Sequence, residues 1–312
     1  MGATPSAFKL VAYAPSHAPA AAELHSLVLP ISPSTLDQQL RLPAVASLTE
    51  TAVIEGRSVG LLDIRTTDGE RFSLRLFVDP RFQRMGLGSR LLGRAVSSAS
   101  SRFPGATVRA TLRDEDDAAL KWAQRRGFEE YARSISMSRE LPEDAQELES
   151  AAEAARERAG VTIEQWLSTS NGDDWRWLTD LLSGCMSGSL HSGVGKVNEE
   201  MARYLVPYPE GVLVAFRDGR QVGMASIAPE GPSSWYSWFT GVLPEARGKG
   251  VAVALKAGAL ALARRQGAEV MRTNNDVLNL PVIGLNETLG YRREPGLRRL
   301  HASISDVRAE GR

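Results

Sequence analysis

Short apolar runs along this chain alternate with helical periodicities in an order that occurs twice. In the first half Ala52–Val53–Ile54 leads into Glu55–Gly56–Arg57–Ser58–Val59–Gly60 and then Leu61 to Ile64. In the second, Val212 to Phe216 leads into Asp218–Gly219–Arg220–Gln221–Val222–Gly223. Apolar stretches flanking a glycine turn predict a β-hairpin in each half. Val78–Asp79–Pro80 then precedes a glycine-rich loop and a helical pattern, and Val242–Leu243–Pro244 does the same. Arg126–Gly127–Phe128 is matched by Leu289–Gly290–Tyr291. The paired landmarks lie 163, 164 and 163 residues apart, which points to duplication of a whole domain. Each half reads strand, helix, hairpin, strand, glycine-rich loop, long helix, strand, helix, strand, the alternation of an α/β domain with a mixed sheet. The long helices are predicted over Ser89 to Arg102 and Val253 to Gln266, the second stopped by Gly267.

The length of 312 residues fits two domains, and 43% hydrophobic residues supply a core for each. The expected division is residues 1–141, a linker helix over 142–160 and residues 161–312. DAQELESAAEAARERA, at the centre of the linker, reads as a surface helix bridging the domains or as a helix of the first one. Basic and acidic residues number 37 each, so no global field recruits nucleic acid or an anionic membrane, and a small-molecule partner is expected. The single cysteine, Cys185, excludes an internal disulfide and suits a reducing compartment; no secretion signal or membrane span is legible, so the cytoplasm is expected.

Gln83–Arg84–Met85–Gly86–Leu87–Gly88 and Arg247–Gly248–Lys249–Gly250–Val251–Ala252 share the pattern Q/R-x-x-G-x-G/A, each after a strand ending near Pro and each opening a helix. Successive backbone N–H groups at a helix N-terminus form an anion-binding concavity, and a small residue lets the backbone approach a pyrophosphate. Other chemistries are not supported. His17, His25, His191 and His301 lack metal-ligand spacing, and Asp114–Glu115–Asp116–Asp117 reads as a solvated helix start, so no metal is expected. Gly193–Val194–Gly195–Lys196 resembles part of a P-loop, but Leu190 and Val197 replace the first glycine and the metal-binding hydroxyl. Of Trp235, Tyr236, Trp238 and Phe239, strand alternation puts some in a core and leaves others to line an acceptor pocket, or buries all four.

The paired loops resemble the pyrophosphate loop of the GNAT superfamily of N-acyltransferases. The likeness covers both halves, most specifically Leu76 to Arg102 and Thr240 to Tyr291. It implies two tandem GNAT-like domains, each a mixed, mostly antiparallel sheet flanked by helices. It further implies that Leu76, Phe77 and Val78, and Thr240, Gly241 and Val242, pair with the pantetheine arm of acetyl-coenzyme A. Arg84, Met85, Gly86, Leu87, Gly88 and Ser89, and Arg247, Gly248, Lys249, Gly250, Val251, Ala252 and Val253, would hold the pyrophosphate. Thr273–Asn274–Asn275, Asn279, Pro281, Asn286 and Gly290–Tyr291 look like a segment of a tandem GNAT group that includes mycothiol-synthase-like proteins, with Val282 where Met is usual. In that likeness Asn279 binds the cofactor's amide region, and Asn286 stands where many members carry a tyrosine that protonates the leaving thiolate. The first half has Asp116 and Ala123 at these two positions. The expected activity is acetyl transfer from acetyl-coenzyme A to a primary amine of a small molecule or peptide, chiefly in the second half, with Asn286 as the catalytic candidate. A non-catalytic acyl-coenzyme A sensor is the alternative.

Overall fold

A computed structural model describes residues 8–28, 33–166, 173–187 and 197–310. In chain order the elements are β1 (Lys9–Ala12), α1 (Ala18–His25), α2 (Pro33–Leu40), β2 (Ala46–Ile54), β3 (Arg57–Thr66), β4 (Arg71–Val78), α3 (Leu87–Ala99), β5 (Thr107–Arg113), α4 (Asp117–Gln124) and β6 (Glu129–Glu140). The second half adds α5 (Ala145–Ala159), β7 (Thr162–Gln165), α6 (Asp173–Met186), α7 (Glu199–Leu205), β8 (Val212–Arg217), β9 (Arg220–Pro229), β10 (Ser234–Val242), α8 (Val251–Arg265), β11 (Val270–Asp276), α9 (Leu280–Thr288) and β12 (Arg292–Ser303).

The chain forms two compact units, Met1–Ser134 with Pro295–Arg312, and Ile135–Glu294. This differs from cuts at 141 and 161. The last strand of the chain belongs to the first unit, where residues 297–303 of β12 pair antiparallel with β5. The helix read as a linker belongs to the second unit. There α5 buries Leu148, Ala152, Ala155 and Ala159, a stripe at helical spacing, in the core that also contains the apolar residues of α8. A high Ala and Glu content says that a segment is helical; it does not say which core its one apolar face will find.

Both hairpins form, and both place two left-handed residues at the turn: Glu55 and Gly56 at φ 47° and 79°, Asp218 and Gly219 at 50° and 70°. In the first unit the strands run β1-β2-β3-β4-β5-β12. One face carries α3, whose Leu87, Leu91, Leu92, Ala95 and Ala99 are buried with Ile64, Phe72, Val108 and Leu300; on the other, α1 and α2 cover Leu61. The second unit's strands run β6-β11-β10-β9-β8-β7. Along β8, Leu213 and Ala215 point to the core shared with α5 and α8, while Val212 and Val214 point to the core shared with α6 and α7. That alternation is what a strand buried on both faces requires.

Candidate active site

In both units the two central parallel strands pair at their beginnings and then part. Strand β4 meets β5 over Arg71–Leu74, and β10 meets β11 over Ser234–Tyr236. Beyond those points each strand keeps its antiparallel partner on the other side, through Val78↔Gly60 and Val242↔Gly223. Leu76, Phe77 and Val78, and Thr240, Gly241 and Val242, therefore lie in strand segments beyond the parallel pairing.

The loops that follow have nearly the same backbone. Each begins with a short 3-10 turn, Pro80–Phe82 or Pro244–Ala246. Arg84 (φ 62°) and Gly248 (φ 72°) are left-handed, as are Gly86 (80°) and Gly250 (79°), the residues that cap α3 and α8. A non-glycine residue in this region costs roughly 1–2 kcal/mol, so Arg84 holds the first loop's shape against strain. Neither helix has a side chain capping its first turn or an acidic residue there. The first-turn N–H groups of Leu87, Gly88 and Ser89, and of Val251, Ala252 and Val253, are thereby left for an anion.

The first residue of the shared pattern has a role that spacing alone does not reveal. Gln83 donates from Nε2 to Val78 O at 3.2 Å, and Arg247 donates from Nε to Val242 O at 3.1 Å. Each closes its loop onto the end of the preceding strand, which explains why this position takes a long donor. Arg247 also donates to Cys185 O and Ser187 O, and Lys249 to Glu245 O. The cationic heads of Arg247 and Lys249 are thus committed to carbonyls of the protein.

The units differ at the strand that would carry the thioester. Strand β10 has a bulge between Ser237 and Phe239, whereas the β3–β4 register runs without a shift. Bulges re-aim side chains and gather next to active sites. Here Trp235 is buried in the core with α8, while Tyr236 and Trp238 face the other side, stacked edge to face with centres 5.2 Å apart. Trp238 stacks in turn on the exposed Tyr204. Thr273 Oγ1 donates to Ser237 O where the strands part, Asn274 hydrogen-bonds the Tyr236 hydroxyl, and Ser136 Oγ donates to Asn274 Oδ1 at 2.5 Å. Burial first of all pushes the Tyr236 hydroxyl up to about 12, so it stays protonated near neutrality. Thr240 Oγ1 and Asn275 Nδ2 are buried without a partner among the described residues. Orphaned polar atoms on both parted strands fit a polar ligand running between them.

Asn279 caps α9 without a side-chain capping bond, leaving its amide uncommitted there, whereas Asp116 accepts from Ala119 N–H at 2.9 Å. Asn286 is set differently from Asn279. It is wholly buried and donates from Nδ2 to Met137 Sδ at 3.5 Å, while its Oδ1 has no partner among the described residues. With Ile283 it lies on the buried face of α9. Gly193–Lys196, the P-loop-like stretch, lies outside the described residues. Among the described residues, no group of acidic residues, His and Cys could hold a metal, and no helix is long and apolar enough to cross a membrane.

Comparison with known proteins agrees with this geometry. Residues 175–291 match the Acetyltransferase (GNAT) family and residues 48–130 an Acetyltransferase (GNAT) domain. No curated protein matches the chain. Among solved structures, a GCN5-related N-acetyltransferase from Sphaerobacter thermophilus aligns with a TM-score of 0.73 at 19% identity, over 95% of this chain and 96% of that one. A tandem GNAT protein from the clavulanic acid biosynthesis pathway aligns at 0.69 and 19% identity, over 96% and 99%. A GCN5-related glucosamine N-acetyltransferase region of a fungal multi-domain β-N-acetylglucosaminidase aligns at 0.66 and 16%, over 96% of this chain and 38% of that one. With a GNAT match in each half and the parted strands and left-handed loops in both units, the chain belongs to the GNAT acetyltransferases and carries two such domains in tandem.

Proposed function

We propose that the second unit transfers an acetyl group from acetyl-coenzyme A to a primary amine of a small molecule or peptide, by direct attack of the amine on the thioester. The observation that carries this reading is the bulge in β10, set between its paired beginning and the free segment that leads to the Gly248–Gly250 loop. The loop's N–H groups suit a pyrophosphate, and Thr240 and Asn275 suit the amides of the pantetheine arm. A backbone N–H freed near the bulge can meet the thioester oxygen as negative charge develops on it.

An alkylamine has a pKa near 10, by the lysine reference, and must lose a proton before attack. Positioning of amine and thioester supplies most of the acceleration. The Tyr236 hydroxyl, held by Asn274 at the point where β10 and β11 part, is a phenol placed to donate a hydrogen bond or a proton to the leaving thiolate. Tyr236, Trp238 and Tyr204 form an aromatic wall for the acceptor's body.

The test is release of free thiol from acetyl-coenzyme A in the presence of a panel of primary amines. Turnover with at least one amine is expected. Gly250→Glu, which puts a side chain and a negative charge where pyrophosphate should sit, is expected to abolish it. Unchanged turnover in a folded Gly250→Glu protein would move the active loop elsewhere.

A further inference from the structure

The two loops share a backbone, but what lies against them differs. In the first unit the indole of Trp122, on α4, packs against the start of α3. A Cβ added to Gly88 would stand 3.4 Å from Trp122 Cζ2 and 3.9 Å from Val78 Cγ2, so the loop, the end of β4 and the indole meet at one point. Arg126, just past the end of α4, lies with its guanidinium 4.0 Å from the Trp122 ring centre. It is 7% exposed. It donates to Ser89 Oγ at 2.9 Å, to Trp122 O at 3.1 Å and to Ala309 O at 3.2 Å. One buried cation thus ties the first turn of α3 to α4 and to the C-terminal segment that completes the unit. By the repeat register the second unit has Leu285 and Leu289 for Trp122 and Arg126, and Ala252 and Val253 for Gly88 and Ser89. None of those side chains can form such a tie. A methyl on residue 88 would lie in ordinary van der Waals contact with the indole.

We propose that Trp122 and Arg126 latch α4 onto α3 across the cofactor groove of the first unit, so that the chain binds one acyl-coenzyme A, on the second unit, and not two. The inference rests on reading the loops as pyrophosphate cradles. A pantetheine arm leaving the first loop must pass Val78 to reach the parted end of β4, and the indole stands on that path. Opening the path would expose the ring and break the charge-assisted hydrogen bonds of Arg126 to Ser89, Trp122 and Ala309. The first loop keeps the shape of an anion cradle and loses its exit.

Calorimetric titration of the full chain with acetyl-coenzyme A tests this. One equivalent per chain is expected. The Trp122→Leu/Arg126→Leu variant, which copies the second unit, should take up a second equivalent while the first keeps its affinity. Adding Gly86→Glu to that variant should return the count to one. Two equivalents in the unaltered chain, or one in the folded double variant, would overturn the latch and leave the functional reading standing. No binding by the unaltered chain would overturn the functional reading and the inference with it. Hydrogen exchange of the unaltered chain probes the latch without any substitution: acetyl-coenzyme A should slow exchange over 242–253 and leave 78–89 unchanged, and protection of both loops overturns the latch.

Discussion

The ammonium of Lys256 lies 5.6 Å from the centre of the Tyr291 ring, inside the second unit, and the side chain is 4% exposed. Among the described residues no carboxylate pairs with it, and burial alone brings its pKa down to about 8. In the unfolded chain the value is near 10.4. Below about 8 both states hold the proton, so the cost of burying the charge is present in full. Between the two values the unfolded chain binds more protons than the folded one, so stability rises with pH. Lys256→Met should therefore be more stable than the unaltered protein near neutral pH, on the order of 1–3 kcal/mol, less whatever the ring returns to the cation. Melting temperatures of the two proteins from pH 7 to 10 check this: the gap should narrow above pH 8, and a flat gap would show that the charge is not buried. Asn286 presents the complementary case of a buried amide with one unpaired oxygen. Replacing both polar atoms by an apolar group of similar shape can be neutral or stabilising. Asn286→Leu should leave the melting temperature unchanged or higher and keep activity per folded molecule, whereas a loss of turnover without loss of stability would place Asn286 in the reaction.

At the scale of elements, the hairpins, the helices α3 and α8 and the turns between strand and helix were legible because each depends on local rules. The helices start two residues earlier than the periodicity suggested, at Leu87 and Val251, since the left-handed glycine and not the first apolar pair sets the boundary. That both loops adopt one backbone was legible from glycines 86 and 250; that Arg84 follows Gly248 into the left-handed region was not, because arginine does not announce a strained conformation. The bulge in β10 has no local signature either. It depends on how β9 and β10 are held in register. The loop-closing roles of Gln83 and Arg247 were findable: a long donor at the same place in both copies is a signal that the pattern contained.

For the molecule as a whole, the consequential feature is that Pro295–Arg312 completes the first unit. Leu300 and Ile304 are fully buried in that unit's core, and β5 has residues 297–303 as its partner on one side. A fragment of residues 1–141 should therefore lack a cooperative thermal transition. A fragment joining 1–134 to 295–312 by a short linker should have one, since Ser134 Oγ already lies 3.4 Å from Leu297 O. Circular dichroism melts of the two fragments decide the matter, and a cooperative melt for 1–141 would mean that the last strand is dispensable.

The amino-acid sequence by itself determined the duplication, the α/β class, the two glycine-rich strand-to-helix loops and the contrast of Asn279 with Asp116, because these follow from spacing, turn chemistry and the hydrogen-bonding capacity of single side chains. Only the tertiary structure decided which core takes α5, which unit takes β12, that Asn286 is buried, and that Arg126 ties Trp122 and the start of α3 to the C-terminal segment. Those outcomes depend on contacts between residues distant in the chain, such as Arg126 with Ala309 and Asn286 with Met137. Local pattern carries the periodicity of an element but not the identity of what packs against it.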